Sequence, residues 1–272
     1  MRSNVGEVMS RVLTLIGTLS LGILAAIVGR SLTAKSLPSA TFTAGGGSIT
    51  SNLPASQPKP LQQSKAIRSG SVFSQAQITY FMEIAMGAEY NQENSPKLHK
   101  WTGSIRVQPL GKPTTEDLRT LRTVISEINT LTRGTIQRQL VNRDPNITIH
   151  FIPESQFRLV ESAYVPRNFG FFVTRWNNQG VIYRANVLIT TTGVTQKERS
   201  HLIREELTQS LGLMRDSYRY ADSMFYQPWT DVTRYSEIDK ALIQMLYMPQ
   251  LKPGMTQAEV LRTLNSIQAK IR

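Results

Sequence analysis

The stretch His201-Leu-Ile-Arg-Glu-Glu-Leu-Thr-Gln-Ser-Leu-Gly-Leu213 decides the fold, because it combines a helical pattern with an unusual set of polar residues. Thr195 and Glu198 precede it with the spacing of a capping box, in which each side chain binds the other residue's backbone amide. The sequence therefore predicts a helix that begins after Thr195 and runs to Leu211. Gly212 follows as a residue typical of helix ends.

Polar residues recur along one side of this helix. His201, Glu205 and Gln209 are spaced four residues apart and share a stripe. Glu206 lies on the side of Leu202, so we expect at least one of the two adjacent carboxylates to face inward. Buried neighbouring carboxylates shift each other's pKa, as they do at functional sites. These residues are therefore the first candidates for chemistry.

The composition excludes several kinds of site. The 272 residues contain no cysteine, which excludes a disulfide framework, a thiolate metal site and a cysteine nucleophile. The 31 lysines and arginines against 19 aspartates and glutamates give a formal net charge of +12. Such a chain favours anionic partners such as lipid headgroups, acidic cell-wall polymers or nucleic acid. Nucleic acid is the least favoured, because no zinc finger, helix-turn-helix or RNA-binding aromatic pattern is present.

An apolar segment lies near the start of the sequence. Residues 12–29 carry no charge, and Arg2 and Arg11 precede them. The segment is either the core of a signal peptide or a short membrane span, and its length favours the span. In both cases the positive residues stay in the cytoplasm and the chain beyond residue 30 is exported. We therefore expect an extracytoplasmic protein, anchored in the inner membrane or secreted to the periplasm.

The chain divides into three parts. Residues 1–30 are the signal peptide or anchor. Residues 31–75 are rich in serine, proline and glycine and predict a flexible spacer. Residues 76–272 contain the periodic patterns and predict the folded domain.

Alternating and helical patterns in the domain predict its elements. Asn177-Asn-Gln-Gly180 is typical of a hairpin turn between two strands. Together the elements indicate an α+β fold, with one mixed sheet backed by helices. The predicted strands are one that ends at Gly111 and those at 147–152, 169–174 and 181–191, and the predicted helices other than 195–211 are 114–131, 236–248 and 256–271.

Three stretches follow one another in the second half of the chain: Glu205-Glu-Leu-Thr-Gln-Ser-Leu-Gly-Leu213, Asp222-Ser-Met-Phe-Tyr226, and Tyr235-Ser-Glu-Ile-Asp-Lys-Ala-Leu-Ile-Gln-Met-Leu-Tyr247. Together they resemble metzincin metallopeptidases such as the matrixins, which have a His-Glu-x-x-His-x-x-Gly-x-x-His helix, a Met-turn and a C-terminal helix. Trp101-Thr-Gly and Leu251-Lys-Pro-Gly-Met255 are similar to a bacterial family, domain-of-unknown-function family 2927. The resemblance implies a zincin-like fold: a mixed twisted sheet, an active-site-type helix, a Met-turn and C-terminal helices.

The resemblance also implies a role for each matched position. Glu205 and Gln209 stand where the first two zinc ligands are, and Arg215 stands at the third. Glu206 stands at the general base. Gly212 is the glycine that turns the chain after the helix, and Met224 is the residue of the Met-turn. The base and the scaffold are kept while all three histidines are replaced.

These replacements change which metal the helix suits. Glu205 and Gln209 offer oxygen atoms, which suit calcium, magnesium or manganese better than zinc. Arg215 would repel any cation or would itself take the place of the metal, by pairing with Glu205 or Glu206. Asp216, one residue later, could supply a carboxylate after a small shift of the turn. His201 could add a nitrogen ligand, or it could be an ordinary residue of the helix's first turn. The cofactor is therefore either absent or a divalent metal.

Two functions follow from this pattern. The first is an exported, membrane-anchored, metzincin-like domain with a degenerate zinc site, which acts as a binding or structural module of the cell envelope. Its partners would be the membrane, through residues 12–29, and a peptide or an anionic envelope polymer. The alternative is an atypical metallopeptidase-like hydrolase that uses Glu206 as general base. The direction in which Arg215 and Asp216 point discriminates between the two.

Overall fold

Six strands form one mixed sheet in the computed structural model, which describes residues 26–30, 73–87 and 96–269. Their order across the sheet is β1-β5-β6-β4-β2-β3. Strands β2, β3, β4 and β6 pair in parallel, whereas β5 is antiparallel to β6 and β1 is antiparallel to β5. The strands are β1 (Ala26–Arg30), β2 (Ile105–Gly111), β3 (Arg138–Leu140), β4 (Ile147–Ile152), β5 (Gly170–Trp176) and β6 (Ile182–Thr190).

Six helices accompany the sheet within the described residues. Four of them, α1, α2, α4 and α5, begin with a complete capping box, which explains why their first residues are so well defined. The helices are α1 (Gln75–Met86), α2 (Thr115–Leu131), α3 (Phe157–Val160), α4 (Gln196–Gln209), α5 (Glu237–Leu246) and α6 (Gln257–Ala269). The predicted mixed sheet backed by helices is therefore confirmed, whereas α1, α3 and β3 were not predicted.

The two faces of the sheet differ. Ile147, Ile149 and Phe151 alternate along β4 and are fully buried on the face that packs against the helices. The opposite face is covered only in part, by a smaller cluster around Phe157 and Tyr164. The rest of that face is polar. The protein therefore has one large core on the helical side of the sheet and an open region on the other.

The side chains of Lys100 and Trp101 donate hydrogen bonds to the C-terminal ends of two helices. The Trp101 indole donates to the carbonyl of Ser210, just after α4, over 3.0 Å. The Lys100 ammonium donates to the carbonyls of Leu246 (2.5 Å) and Leu251 (3.0 Å) at and beyond the end of α5. Because these carbonyls have no partner within the helix, both donors satisfy buried groups. Burial lowers the pKa of Lys100 to about 8.

The N-terminal parts of the sequence are only partly described. Residues 26–29 of the predicted apolar segment belong to β1, and residues 12–25 lie outside the described residues. The predicted spacer also lies outside them, except for Phe73, Ser74 and Gln75, which begin the α1 region. Among the described residues, no helix has both the length and the apolar character needed to cross a bilayer.

Candidate functional site

Helix α4 places its polar residues inside the protein. Glu205 has 2% of its surface exposed, and Glu206 and Gln209 have none. The helix lies between the sheet, the helix α2 and the turn region after residue 212. Every charge and hydrogen bond on it must therefore be satisfied within the protein.

His201 and Glu205 form a buried pair on one side of α4. The Nε2 atom of His201 lies 3.2 Å from Oε2 of Glu205, and its Nδ1 lies 2.6 Å from the carbonyl of Val232. Since both partners are acceptors, both ring nitrogens must donate. Burial alone would lower the pKa of His201, but the Glu205 carboxylate and the Val232 carbonyl raise it above its usual value. His201 is therefore an imidazolium with no lone pair left for a metal.

Glu206 lies on a different side of the helix and has no hydrogen-bond partner among the residues that the structure describes. Both of its carboxylate oxygens are buried and unpaired. Burial, followed by the charges of Glu205 and Asp216, raises the pKa of Glu206 well above its usual value. These effects favour the neutral form of the carboxyl group. A general base must lie within hydrogen-bonding distance of the water molecule or substrate from which it takes a proton. Glu206 has no exposed surface at which to contact one.

Gly170, the first residue of β5, explains how Glu206 can be enclosed. A Cβ atom at this position would lie 2.3 Å from Oε1 of Glu206 and 2.9 Å from the side chain of Leu202. Only glycine lets the strand come so close to the helix. Gly170 was not predicted as a site residue, although a glycine inside a strand pattern indicates a close approach of the backbone.

Gln209 and Asp216 join the end of α4 to the chain that follows it. The amide nitrogen of Gln209 donates to Oδ1 of Asp216 over 2.5 Å, and Asp216 is 5% exposed. The amide oxygen of Gln209 is buried without a partner. Between them, Gly212 has φ of 121°, and a Cβ there would lie 2.2 Å from the carbonyl oxygen of His99. Gly212 thus turns the chain where no other residue fits.

Arg215 points away from the carboxylates. Its backbone amide donates to the carbonyl of Ile84 over 3.2 Å, and its side chain is half-buried. A Cβ on Gly87, just after α1, would lie 2.3 Å from Cδ of Arg215 and 2.7 Å from Nη1, so the guanidinium lies at the C-terminal end of α1. A cation is favoured there by the helix dipole. Within the described part of the chain, Arg215 forms no ion pair with Glu205 or Glu206.

Asp239 holds the turn at Met224 in place. Its carboxylate accepts hydrogen bonds from the hydroxyl of Ser223 (2.6 Å) and from the backbone amides of Met224 (3.0 Å) and Ser236 (2.9 Å). Burial raises the pKa of Asp239 to about 6, and these hydrogen bonds offset part of the effect. Met224 is fully buried in the core. Asp239 therefore fixes both the start of α5 and the turn at Met224.

The donor set does not fit zinc. Both nitrogens of His201 are engaged, Glu205 pairs with His201, and Gln209 presents its amide nitrogen to Asp216. Zinc in proteins is held mainly by neutral histidine nitrogens, thiolates and carboxylates, and here the one nearby imidazole is protonated. In the described ranges, no group of three histidine, cysteine, aspartate or glutamate side chains is arranged to hold a metal ion.

Comparison with known proteins adds a family. A model of the family described as Protein of unknown function (DUF2927) matches residues 74–266. Two solved structures of myroilysin are similar to the chain. One has 13% sequence identity and a TM-score of 0.35, with coverage of 55% of this chain and 82% of its own. The other has 12% identity and a TM-score of 0.34, with coverage of 67% and 99%. No curated protein matches. Likenesses of this size carry no argument, so function is argued from the geometry.

The two buried histidines are expected to differ in charge at pH 7. His201 should carry two ring protons because both nitrogens face acceptors. His99, stacked on Trp176 with ring centroids 4.0 Å apart, should be neutral, because burial lowers its pKa to about 4. Nitrogen-15 chemical shifts of the imidazole rings measure this directly. Glu205→Gln should return His201 to the neutral form and leave His99 unchanged. A neutral His201 in the wild type would contradict the assignment.

The neutral state of Glu206 predicts a pH-dependent stability. Because its pKa in the fold lies above the unfolded value of 4.5, stability should decline as the pH rises from about 4.5 through the folded pKa, by about 1.4 kcal/mol for each unit of elevation. Urea denaturation at several pH values measures this decline, and Glu206→Gln should make it smaller without abolishing it, because the raised pKa values of Asp239 and His201 add a decline of the same sign. The difference in slope is the readout, because the substituted amide brings its own buried donors.

Glu237→Gln is the matched control for that experiment. Glu237 is an exposed residue of α5 that pairs with Lys240, so its substitution should change stability by less than about 0.5 kcal/mol and leave the pH slope intact. A slope that is the same in Glu206→Gln as in the wild type would show that Glu206 is charged in the fold.

Proposed function

We propose that this chain, which belongs to the family Protein of unknown function (DUF2927), is a metzincin-like binding module whose active-site-type helix has a structural role. The enclosure of Glu206 carries the proposal. A buried, neutral and unpaired carboxyl group behind Gly170 is unsuited to activate water. The neighbouring charges form a closed network instead, with His201 on Glu205 and Gln209 on Asp216.

The proposal includes a position in the cell envelope. Residues 12–29 are uncharged, and Arg2 and Arg11 before them would stay in the cytoplasm. If residues 26–30 leave β5 to join the membrane segment, the spacer of residues 31–75 would hold the domain away from the membrane, on the extracytoplasmic side. The net charge of +12 supports an anionic envelope partner. The domain would then act where anionic polymers and lipid headgroups are concentrated.

A second candidate is a hydrolase that uses Glu206 as general base. The positions of Arg215 and Asp216 favour it: the guanidinium lies at the end of α1, and the carboxylate is buried beside Gln209. The cationic obstacle at the third ligand position is thereby removed. This candidate still requires α4 to be uncovered, since Glu206 has no exposed surface. The two candidates therefore make opposite predictions for one assay.

Peptide hydrolysis distinguishes them. We expect the purified full chain to cleave a peptide library no faster than its Glu206→Gln variant, with or without added zinc, calcium or manganese. Elemental mass spectrometry of the same samples should detect no stoichiometric metal that Glu205→Ala plus Gln209→Ala removes. A zinc peptidase assayed in parallel shows that the library is competent. Cleavage that is lost in Glu206→Gln would overturn the proposal in favour of the hydrolase.

The membrane anchor makes a separate prediction. A spanning helix satisfies its backbone hydrogen bonds internally, whereas residues 26–30 pair with β5, so residues 26–29 cannot do both at once. If residues 12–29 span the bilayer, the full chain should stay with membranes after a carbonate wash. Leu21→Arg should release it, because a charge in the segment's centre costs about 2.5–3.5 kcal/mol of insertion free energy. Ser39→Arg in the spacer is the matched control and should remain bound. Release of the wild type would refute the anchor.

A further inference from the structure

The open face of the sheet carries a row of arginines across its strands. Arg106 on β2 lies beside Asn146, whose backbone amide donates to the Arg106 carbonyl over 2.9 Å. Arg184 precedes Ala185, which pairs with Ile147 on β4, and Arg184 itself pairs with Arg175 on β5. Side chains alternate along a strand, so the three arginines point to the face opposite the core.

A groove of about 480 Å³ lies on this row. Two of its lining side chains are arginines from strands on either side of β4. Its other lining residues are uncharged, apart from Asp144. The lining residues are Arg106, Asp144, Pro145, Asn146, Thr148, Arg184, Ala185 and Asn186.

The two arginines differ from the third in the same row. Arg175 is neutralised by Glu161, whose Oε2 lies 3.3 Å from its Nη2. Arg184 is exposed and forms no ion pair or hydrogen bond within the described ranges. Arg106 donates through Nε to the backbone carbonyl of Asp144 over 2.5 Å. That bond orients the Arg106 side chain and engages a neutral carbonyl, so the charge of the guanidinium remains uncompensated.

The floor of the groove is already satisfied. The hydroxyl of Thr148 donates to Oδ1 of Asn186 over 2.9 Å, and Nδ2 of Asn186 donates to Glu161 over 3.1 Å. Asn146 is likewise engaged, since its Oδ1 accepts from the amide of Arg106 over 2.6 Å. The floor is therefore a fixed surface. The two guanidinium groups are the hydrogen-bond donors of the groove that are left to bind a ligand.

The spacing of the arginines selects the ligand. Strands β2 and β6 are separated by β4, so the two backbones lie about 10 Å apart, within reach of two converging arginine side chains. A carboxylate has only two oxygens, which two guanidinium groups would have to share. A phosphate group has three or four acceptor oxygens and can accept from both. We propose that Arg106 and Arg184 together bind a phosphate group in this groove.

This proposal deepens the binding role proposed above and rests on it, but it does not depend on α4, which lies on the other face of the sheet. The same phosphate chemistry could come from free phosphate or from a lipid headgroup. Asp144 at the rim opposes an anion electrostatically, so its charge limits the affinity. Removing that charge should therefore strengthen binding, whereas removing either arginine should weaken it.

Isothermal titration of the full chain with inorganic phosphate, at fixed 150 mM sodium chloride, tests the proposal. Arg106→Gln and Arg184→Gln should each weaken binding at least about tenfold, the range expected for loss of a charged hydrogen bond. Asp144→Asn should tighten it. Arg262→Gln, an exposed arginine of α6, makes the same change in net charge and should leave the affinity unchanged. Equal weakening in Arg262→Gln, or no binding by the wild type to phosphate or to the vesicles below, would overturn the proposal.

Vesicles identify the source of the phosphate. The full chain with Arg184→Gln is compared with the wild type on phosphatidylglycerol and phosphatidylcholine vesicles in phosphate-free buffer. Loss of phosphatidylglycerol binding in the variant identifies a lipid headgroup as ligand. Phosphate binding by the wild type with no such loss identifies free phosphate. Hydrolysis of peptides by a chain that still binds phosphate through the two arginines would overturn the proposed function and leave this site standing.

Discussion

The burial of residues 201–209, the C-terminal two thirds of helix α4, is the constraint on which the rest of the structure depends. A helix that carries His201, Arg204, Glu205 and Glu206 among its inward residues can be buried only if each charge is paired or neutralised. The protein does both. Arg204 pairs with Glu127 on α2 and lies over the Tyr235 ring, His201 pairs with Glu205, and Glu206 takes up a proton. Buried charges of this kind constrain structure more than they stabilise it.

This arrangement explains why the sheet presents such different faces. On the helical side the polar residues pair with one another, and a ligand would have to displace one of these partners to bind. On the other side Thr148 and Asn186 are satisfied, but the arginines above them are not. A ligand can bind unpaired donors on a rigid surface without breaking existing contacts. One domain can therefore bind a ligand on the open face while the paired residues of α4 on the other face bind none.

Much of the fold could be predicted from local signals. Capping residues such as Thr195 with Glu198 place helix starts, and the Asn177–Gly180 turn places the hairpin, because both depend on neighbours in sequence. Helix α1 was not predicted, since most of its side chains are buried and show no polar face to mark its period. Strand β3 has three residues, too few for an alternating pattern.

The candidate site could be predicted only where it depends on the spacing of residues along the chain. The pairing of His201 with Glu205 follows from their four-residue spacing on a helix. The direction of Arg215 could not be predicted, because it depends on the end of α1, more than a hundred residues earlier in the chain. The enclosure of Glu206 likewise depends on Gly170, which contacts it only after β5 has paired and α4 has packed. Tertiary contacts of this kind leave no trace in local spacing.

The hydrogen bonds from Lys100 and Trp101 to the ends of α4 and α5 affect how the chain folds. Trp101 and Ser210 are separated by 109 residues, and Lys100 and Leu246 by 146. On a ribosome, the dipeptide is made long before either helix end exists, so its hydrogen bonds form only when synthesis of the domain is nearly complete. Contacts over such separations form slowly, because they close long loops. The last turns of both helices are therefore expected to be ordered late, and the nascent domain would expose them to chaperones and proteases until then.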